Sequence, residues 1–398
     1  MTNKNTRSVR RVCRRALVLV AVVIVITAAS TTLRADMGTC GGASITLPFT
    51  DVMSSPFFCS IAEAFFSGLT NGTTATTYNP GDLVTREQMA AFITRTMDQS
   101  LRRGSRRAAL KQFWTPTSAD GFQLTTIGAN SILVAADGAD LWVASGNGTV
   151  SRVRASDGRL LEIWTGATNA YGVVAAKGLI FVTGFESPGK LHQIDPTQLA
   201  GPVTTLTNAL GNFPHAIAFD GARVWTANNL SVSIVTLNPL SVNNVTTGFL
   251  NLNGILYDGA NIWVTDFNAA KLFKLDSNGA IVQPVTVGSN PRQPVFDGTN
   301  IWVPNQASNS ITVVRASTGV VLATLTGNGL STPHTAAFDG ERILITNQGG
   351  DSVSLWKAAD LTTLGSISTG ANTGPEGSCS DGLNFWITLT NINKLARF

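Results

Sequence analysis

The dipeptide Asp-Gly recurs through the C-terminal two-thirds of the chain, at Asp137, Asp220, Asp258, Asp297, Asp339 and Asp381, with Lys177-Gly178 in the corresponding place once. Successive spacings are 40, 43, 38, 39, 42 and 42 residues. Five residues after the Asp stands a Trp in five of the units: Trp142, Trp225, Trp263, Trp302 and Trp386. Self-similarity at such a period marks one supersecondary unit repeated, because a unit of that size cannot bury its hydrophobic face alone and must stack on its neighbours. Each unit reads as four short strands with turn residues between them. In the third they are His215 to Asp220, Arg223 to Ala227, Val232 to Leu237 and Asn244 to Phe249.

Four-stranded units of about 40 residues are the blades of a β-propeller. Seven of them predict a mainly β protein, a seven-bladed β-propeller over residues 121–398. The last unit stops at Phe398 after a third strand, Lys394 to Phe398, and Gln123 to Ile127 is a strand ahead of the first Asp-Gly with no unit of its own. Adding that strand to the last blade closes the ring and removes an open edge. The repeated Trp sits inside a strand with alternating Val and Ile, which places it in the core between blades and not on a carbohydrate-stacking surface. Composition agrees, since charged residues make up 13% of the chain against about 25% in ordinary proteins. The 38 Gly, with abundant Thr, Asn and Ser, suit a turn-rich all-β chain, and 43% hydrophobic residues argue against disorder.

Ile262-Trp263-Val264-Thr265-Asp266 and Ile301-Trp302-Val303-Pro304-Asn305 are similar to the Ile/Val-Tyr/Trp-Val-x-Asn strand of bacterial extracellular propellers of the YVTN and NHL kind. That resemblance covers the whole repeat region and implies an architecture, not an activity.

The N-terminal part is of another kind. Arg10, Arg11, Arg14 and Arg15 precede an apolar run from Ala16 to Ala29, about 14 residues where a bilayer-spanning helix needs about 20. Residues 1–35 therefore read as a signal peptide, cleaved after Ser30 or after Ala35, with an uncleaved anchor as the alternative. The expected location is outside the cytoplasm, at the cell surface, in a periplasm or in the medium. Basic and acidic residues number 28 and 24, but seven of the basic ones lie in the first 35 positions with no acid, so the rest carries 21 against 24, or −3. This removes the electrostatic case for a nucleic-acid partner, which needs a basic field on the folded domain. Export permits disulfides. Of Cys40, Cys59 and Cys379, the first two lie 19 residues apart in one small segment and are the expected bridge, leaving Cys379 as a thiol in an apolar strand.

Within residues 36–100, Ile61, Ala62, Phe65 and Phe66 recur at helical spacing before a break at Gly68. Thr85 is a good N-cap for a second helix with Glu87 and Gln88 in its first turn, and Met89, Phe92, Ile93 and Thr96 form its expected buried face. Four segments occur in order: Phe49-Thr50-Asp51-Val52, Gly68-Leu69-Thr70-Asn71-Gly72, Tyr78-Asn79-Pro80 and Val84-Thr85-Arg86-Glu87-Gln88-Met89-Ala90. They resemble the F-x-D-V, G-L/I-x-x-G, aromatic-x-Pro and I-T-R-A-E-F-A motifs of the S-layer homology module. The resemblance implies a small α-helical module that binds an acidic cell-wall or envelope polymer, with Arg86 on the anionic group and Asp51 supporting the site; a guanidinium fork suits carboxylates and phosphates. Such modules usually act in threes, and this chain has one. Residues 101–120 form a linker in which Arg102, Arg103, Arg106, Arg107 and Lys111 read either as a clamp on anionic polymer or lipid head groups or as a solvated run.

Counting back five residues from each Asp reaches the start of the innermost strand, at the mouth of the central channel: Ile132, Gly172, His215, Asn253, Arg292, His334 and Glu376. Pro214, Pro291, Pro333 and Pro375 stiffen the approach. Converging polar side chains at such a mouth make His215, Asn253, Arg292, His334 and Glu376 the candidate site for a small-molecule or protein ligand, with a hydrated channel end as the plain alternative. His215 and His334 both stand in Pro-His-x-x-Ala, which is similar to streptogramin lyases, seven-bladed enzymes that use mouth histidines and glutamates with magnesium. That likeness implies a lyase or hydrolase working through His215, His334 and Glu376. The pattern departs from it in two ways. The histidines belong to blades three and six, too far apart by blade count to touch one substrate atom. Eight residues after the Asp stand Ser145, Asn228, Asn305 and Asn347, with only Asp266 acidic, a rim of hydrogen bonds without a general base. No zinc-spaced Cys/His group, nucleophile elbow or phosphate loop occurs, so no catalytic residue, metal ligand or cofactor is assigned. The leading expectation is an exported binding protein of the cell envelope, with a lyase or hydrolase and a structural surface-layer component as alternatives.

Overall fold

The computed structural model describes residues 35–40, 43–102 and 123–398. The leader and the basic run from Arg103 to Lys111 lie outside the described residues. Seven four-stranded antiparallel sheets make a propeller. Blades 1 to 6 span residues 131–165, 170–210, 216–245, 252–286, 295–326 and 333–368, and blade 7 takes three strands from 375–397. Its fourth strand is Gln123–Thr126, paired antiparallel with Lys394–Arg397 from Gln123 opposite Arg397 to Thr126 opposite Lys394. The ring is thus closed by both ends of the repeat region.

The Asp-Trp spacing has a physical cause. In blade 1 one oxygen of Asp137 accepts the backbone N–H groups of Ala139 and Asp140 at 2.9 and 2.8 Å, closing the turn between the first two strands. The other accepts the indole N–H of Trp142 at 2.8 Å. The same bond joins Asp220 to Trp225, Asp258 to Trp263, Asp297 to Trp302 and Asp381 to Trp386, at 2.7 to 2.9 Å. Five residues is the reach across this hairpin, so each Trp buries its rings between blades while its one polar atom is satisfied. Blade 6 has Leu344 in place of Trp, and there the Arg342 guanidinium donates to Asp339 at 2.9 Å. Blade 2 has a different turn: Ala176 pairs with Leu179 across only Lys177 and Gly178, both at positive φ (52° and 75°), a tight hairpin of the primed type.

The hydrophobic core is divided among the seven junctions between neighbouring blades. The fourth strand of blade 3 is Leu240–Val245, not the expected 244–249. Leu237 pairs directly with Leu240, so the chain turns back across two residues and the strand is spent before Phe249. That ring instead packs into the junction with blade 4, 6.0 Å from Phe273.

The N-terminal segment is not purely helical. A hairpin of β1 (Asp36–Cys40) and β2 (Ala43–Leu47) precedes α1 (Phe58–Phe66) and α2 (Arg86–Arg102). Cys40 and Cys59 are bridged, tying β1 to α1, and Cys379 is a free thiol. Gly68 ends α1 at φ 76°. The N–H of Leu69 bonds to the carbonyl of Ala64, and that of Gly68 to the carbonyl of Phe65, the paired bonds of a Schellman cap. Leu47, Phe49, Ile61 and Phe66 join the core between blades 5 and 6. The last carbonyls of α1, left open by helix geometry, are taken up by the propeller. Asn300 donates to Phe66 O at 2.8 Å, and the Arg315 guanidinium, lying over the Phe65 ring, donates to Phe65 O.

α2 starts with a reciprocal cap, Thr85 N–H to Gln88 Oε1 at 2.8 Å and Gln88 N–H to Thr85 Oγ1 at 3.2 Å. Its expected buried face is largely uncovered: Met89, Ile93 and Thr96 are exposed and Phe92 is half-buried. Helical spacing of apolar residues specifies a face but not what covers it.

Candidate functional site

Strand register places the mouth positions. The first paired residue of the innermost strand is Ser131 in blade 1, Ala170 in blade 2, Leu252 in blade 4, Pro333 in blade 6 and Pro375 in blade 7, each followed by a bulge. The next residue opens into the mouth: Ile132, Tyr171, Asn253, His334 and Glu376, with His215 and Arg292 in blades 3 and 5. Blade 2 therefore contributes Tyr171, not Gly172. Its turn takes two residues instead of four and each strand gains one, so counting back five from Lys177 stops one residue short. The displaced alignment also hid that Phe181 takes the place of Trp, facing Val174 as Trp142 faces Ala135.

Five of these groups act on one another. His334 Nε2 stands 3.7 Å from Glu376 Oε1, too long for a hydrogen bond and open to an inserted ligand atom. Glu376 Oε2 accepts the Thr390 hydroxyl at 3.1 Å. Burial pushes the Glu376 carboxyl above its ordinary range, against the pull of Thr390 and of the Arg292 cation. Burial, helped by Arg292 and His215, lowers His334 to about 3. Burial and Arg292 lower His215 to about 4. Both imidazoles are neutral near pH 7, and one nitrogen of each, Nδ1, is buried with no hydrogen-bond partner. Burial raises Tyr171, with Glu376 adding to the effect. His215 adds to the lowering of the His334 pKa, so the two histidines, on blades three apart, lie within electrostatic reach across the channel.

A second tier, which no sequence count singled out, supports the first. It is the residue following the second strand of each blade, whose N–H bonds to the incoming loop. Phe185 N–H donates to Asn169 O, Phe267 to Asn251 O, Gln306 to Asn290 O and Thr390 to Gly374 O. Gln306 Oε1 accepts Arg292 Nε at 2.9 Å and Nη2 at 2.6 Å, and the Arg292 guanidinium lies 4.6 Å over the Phe267 ring. On the other side Phe185 stacks on Tyr171 at 5.3 Å and meets His215 edge-on at 4.9 Å, with Phe213 5.2 Å away. The sequence signal that could have found this tier is its position, nine residues after the Asp, or eight after Lys177 in blade 2.

The expected Asn-rich rim is no rim. Ser145, Asn228, Asp266, Asn305 and Asn347 are fully buried. Asn228, Asn305 and Asn347 each donate to two hydroxyls of the next strand, for example Asn347 to Ser352 at 3.2 Å and Ser354 at 2.7 Å. Asp266 holds the backbone N–H groups of Leu250, Asn251 and Ala269. Ending a strand buried, with strand-three hydroxyls beside it, calls for a short amide, and these residues serve the fold.

Below the mouth the channel continues as a cavity of about 260 Å³ lined by Val134, Gln293, Thr335, Phe338, Ser378 and Cys379. Burial pushes the Cys379 thiol up, so it stays protonated. A larger crevice, about 1230 Å³, lies at the far end of the strands, between the N-terminal segment and blades 4 and 5. Its charged groups are engaged: Lys274 over Trp263, Arg315 on Phe65, and Asp258 on Trp263. The mouth, not the larger crevice, holds the converging titratable groups.

Asp51 and Arg86 occupy different settings. Asp51 accepts the N–H groups of Tyr78 at 2.9 Å and Asn79 at 2.7 Å, fixing the loop that carries Tyr78-Asn79-Pro80. Arg86 opens α2 and is exposed.

No protein-family model and no curated protein matches this sequence. Solved structures do. Virginiamycin B lyase from Staphylococcus aureus superposes with a TM-score of 0.57 at 14% identity, over 69% of this chain and 98% of that one. A streptogramin B lyase gives 0.56 at 14%, over 69% and 97%. The WD40 β-propeller domain of Doa1 gives 0.58 at 16%, over 70% and 96%. Such distant likenesses, to lyases and to a WD40 domain alike, show the propeller fold and no more.

Proposed function

We propose that this is an exported envelope protein whose propeller binds a ligand at the channel mouth, through Tyr171, His215, Asn253, Arg292, His334 and Glu376. The observation that carries the reading is the convergence of His334 and Glu376, 3.7 Å apart, with Arg292 and His215 close enough to shift the His334 pKa. Buried polar groups in a merely structural channel are hydrogen-bonded to one another, whereas here two imidazole nitrogens are left without partners. Association with an acidic envelope polymer is assigned to the N-terminal segment on its four S-layer-homology-like motifs, with exposed Arg86 as the contact, Asp51 as its support, and the basic run to Lys111 as a diffuse one. The test of the mouth is capture from envelope extract by the full chain, compared with Arg292→Leu and Glu376→Gln. Material retained equally by all three ends the reading.

A propeller lyase or hydrolase is the second reading. It gains from the proximity of neutral His334 to Glu376, a base beside a carboxyl whose pKa is raised. Ordered metal bound by His334 and Glu376 after soaking with a divalent cation would favour it over simple binding.

A further inference from the structure

The approach loops carry a second pattern. Two residues before the mouth position the backbone is left-handed in six blades: Asn130 (φ 56°), Asn169 (47°), Phe213 (53°), Asn290 (56°), Thr332 (47°) and Gly374 (57°). Asn and Gly tolerate this conformation, and a bulky side chain does not. Three blades use Asn and one uses Gly, so Phe213 and the β-branched Thr332 are the two residues ill suited to this backbone. Burial does not account for Phe213, because the side chain remains 38% exposed. Its neighbours make an aromatic wall with it: Phe185, Tyr171 and His215, ring to ring at 4.9 to 5.4 Å. A strained and exposed aromatic residue at the edge of a site is best explained by what it touches in the bound state.

Across the mouth stands the one fixed cation of the ring. Arg292 is half-buried and has no carboxylate within ion-pair distance among the described residues. Its Nε and Nη2 are committed to Gln306, a neutral partner that orients the fork without discharging it, while Nη1 makes no hydrogen bond among the described residues. A desolvated guanidinium held in place by an amide suits an incoming carboxylate. Arg292 adds to the lowering of the His215 pKa, so the cation and the aromatic wall lie within electrostatic reach of each other.

We propose that the mouth takes a ligand in which an aromatic ring is joined by a short chain to a carboxylate, the ring on Phe213 and Phe185 and the carboxylate on Arg292. This rests on the mouth being a binding site and adds the class of its occupant. The test is NMR titration of the full chain with 3-phenylpropionate, 3-cyclohexylpropionate and 3-phenylpropanamide. The first should bind in the millimolar range or tighter, and the amide, lacking the charge, about tenfold more weakly. The cyclohexyl analogue, lacking the flat ring, should also be weaker, by about fivefold. Phe213→Asn should weaken 3-phenylpropionate to the level of the cyclohexyl compound without lowering Tm, since Asn fills that position at 130, 169 and 290. Arg292→Leu should abolish the preference for acid over amide. Absence of binding by 3-phenylpropionate, equal binding of all three probes, or full affinity in Phe213→Asn would overturn the proposal. Envelope capture that depends on Arg292, together with no aryl carboxylate binding, would refute the ligand class and leave the site standing. Capture indifferent to Arg292 would remove the site itself.

Discussion

Replacing Asp297 by Asn tests whether the Asp-Trp bond organises the blades. Asp297 is fully buried. One of its oxygens accepts the N–H groups of Thr299 at 2.8 Å and Asn300 at 2.7 Å, and the other accepts Trp302 Nε1 at 2.8 Å. Asparagine has the same shape with one acceptor in place of two. Its oxygen can serve the turn or the indole, and its amide N–H groups then face the remaining donor. A hydrogen bond to a charged acceptor contributes about 1.5–3 kcal/mol, and a buried donor left unmatched forfeits that stabilisation with nothing in exchange. In a domain of this size each kcal/mol moves Tm by roughly 2–4 °C, so Asp297→Asn should melt roughly 3–12 °C lower. Thermal denaturation followed by near-UV circular dichroism reads it. Trp302→Phe removes the donor, and in the double variant the asparagine amide no longer opposes an N–H. The pair should therefore be less destabilised than the sum of the singles, by about 1 kcal/mol or more. A melting point within about 1 °C of the parent, or an additive cycle, would show that the bond is a bystander of blade packing.

Deleting residues 121–128 should destabilise the ring by at least about 3 kcal/mol, since it strips the Lys394–Arg397 edge and removes buried Ile127 from the junction of blades 7 and 1; an unchanged Tm would rule out closure by that strand. Burial holds His192 and His215 near pKa 4 and His334 near 3, with Lys190 adding to the shift at His192 and Arg292 at the other two. Unfolded histidines titrate near 6.5, so between that pH and the folded values the unfolded chain binds more protons. Stability should fall as pH drops from about 6.5 towards 4, by up to about 1.4 kcal/mol per pH unit for each histidine, and a flat Tm profile over that window would contradict it. Cys379 should resist alkylation in the folded protein and react on unfolding, while peptide mapping finds Cys40 joined to Cys59; rapid native labelling of Cys379 would count against its placement in the channel. Sedimentation with purified cell walls should weaken as salt rises and should be lost when Arg86 and the Arg102–Arg107 cluster are neutralised; a propeller that sediments equally well without the N-terminal segment would disprove the attachment role.

The blades were legible because their marker is a local bond: an Asp at a turn and a Trp five residues on meet across one hairpin, so sequence distance is spatial distance. Where that hairpin changed, at Lys177-Gly178, the count slipped by one and Tyr171 was missed. The fourth strand of blade 3 was misplaced although Asn238-Pro239 marks a turn, since that dipeptide does not tell that the next strand begins at once with Leu240. The second tier was invisible because its contacts run between a residue after the second strand and side chains that begin a different strand or blade, as with Phe267 and Arg292. α2 shows the converse. Its cap and periodicity were correctly informative about a helix, yet periodicity carries no information about a partner, and Met89 and Ile93 remain exposed.

The repeat also explains why the mouth can differ from blade to blade while the core does not. In blades 1, 2, 4, 6 and 7 the mouth residue follows the first paired residue of its strand and sits within the bulge, as between Pro333 and Ala336 or Pro375 and Ser378. A bulge frees that residue from the ladder and turns it towards the axis. Its side chain therefore answers to neither the Asp-Trp bond nor the cores between blades. Seven such positions hold Tyr, Asn, Arg, Glu, His twice and one isoleucine, while the position ten residues later is Trp in five blades, Phe in blade 2 and Leu in blade 6. The polar ones run consecutively from Tyr171 to Glu376, leaving Ile132 as the single apolar member. An unbroken arc of that kind has a direction, with the aromatic wall on blades 2 and 3, the cation on blade 5 and the acid on blade 7. A ligand entering it meets a different chemistry at each end, and the mouth can therefore fix which way round that ligand lies.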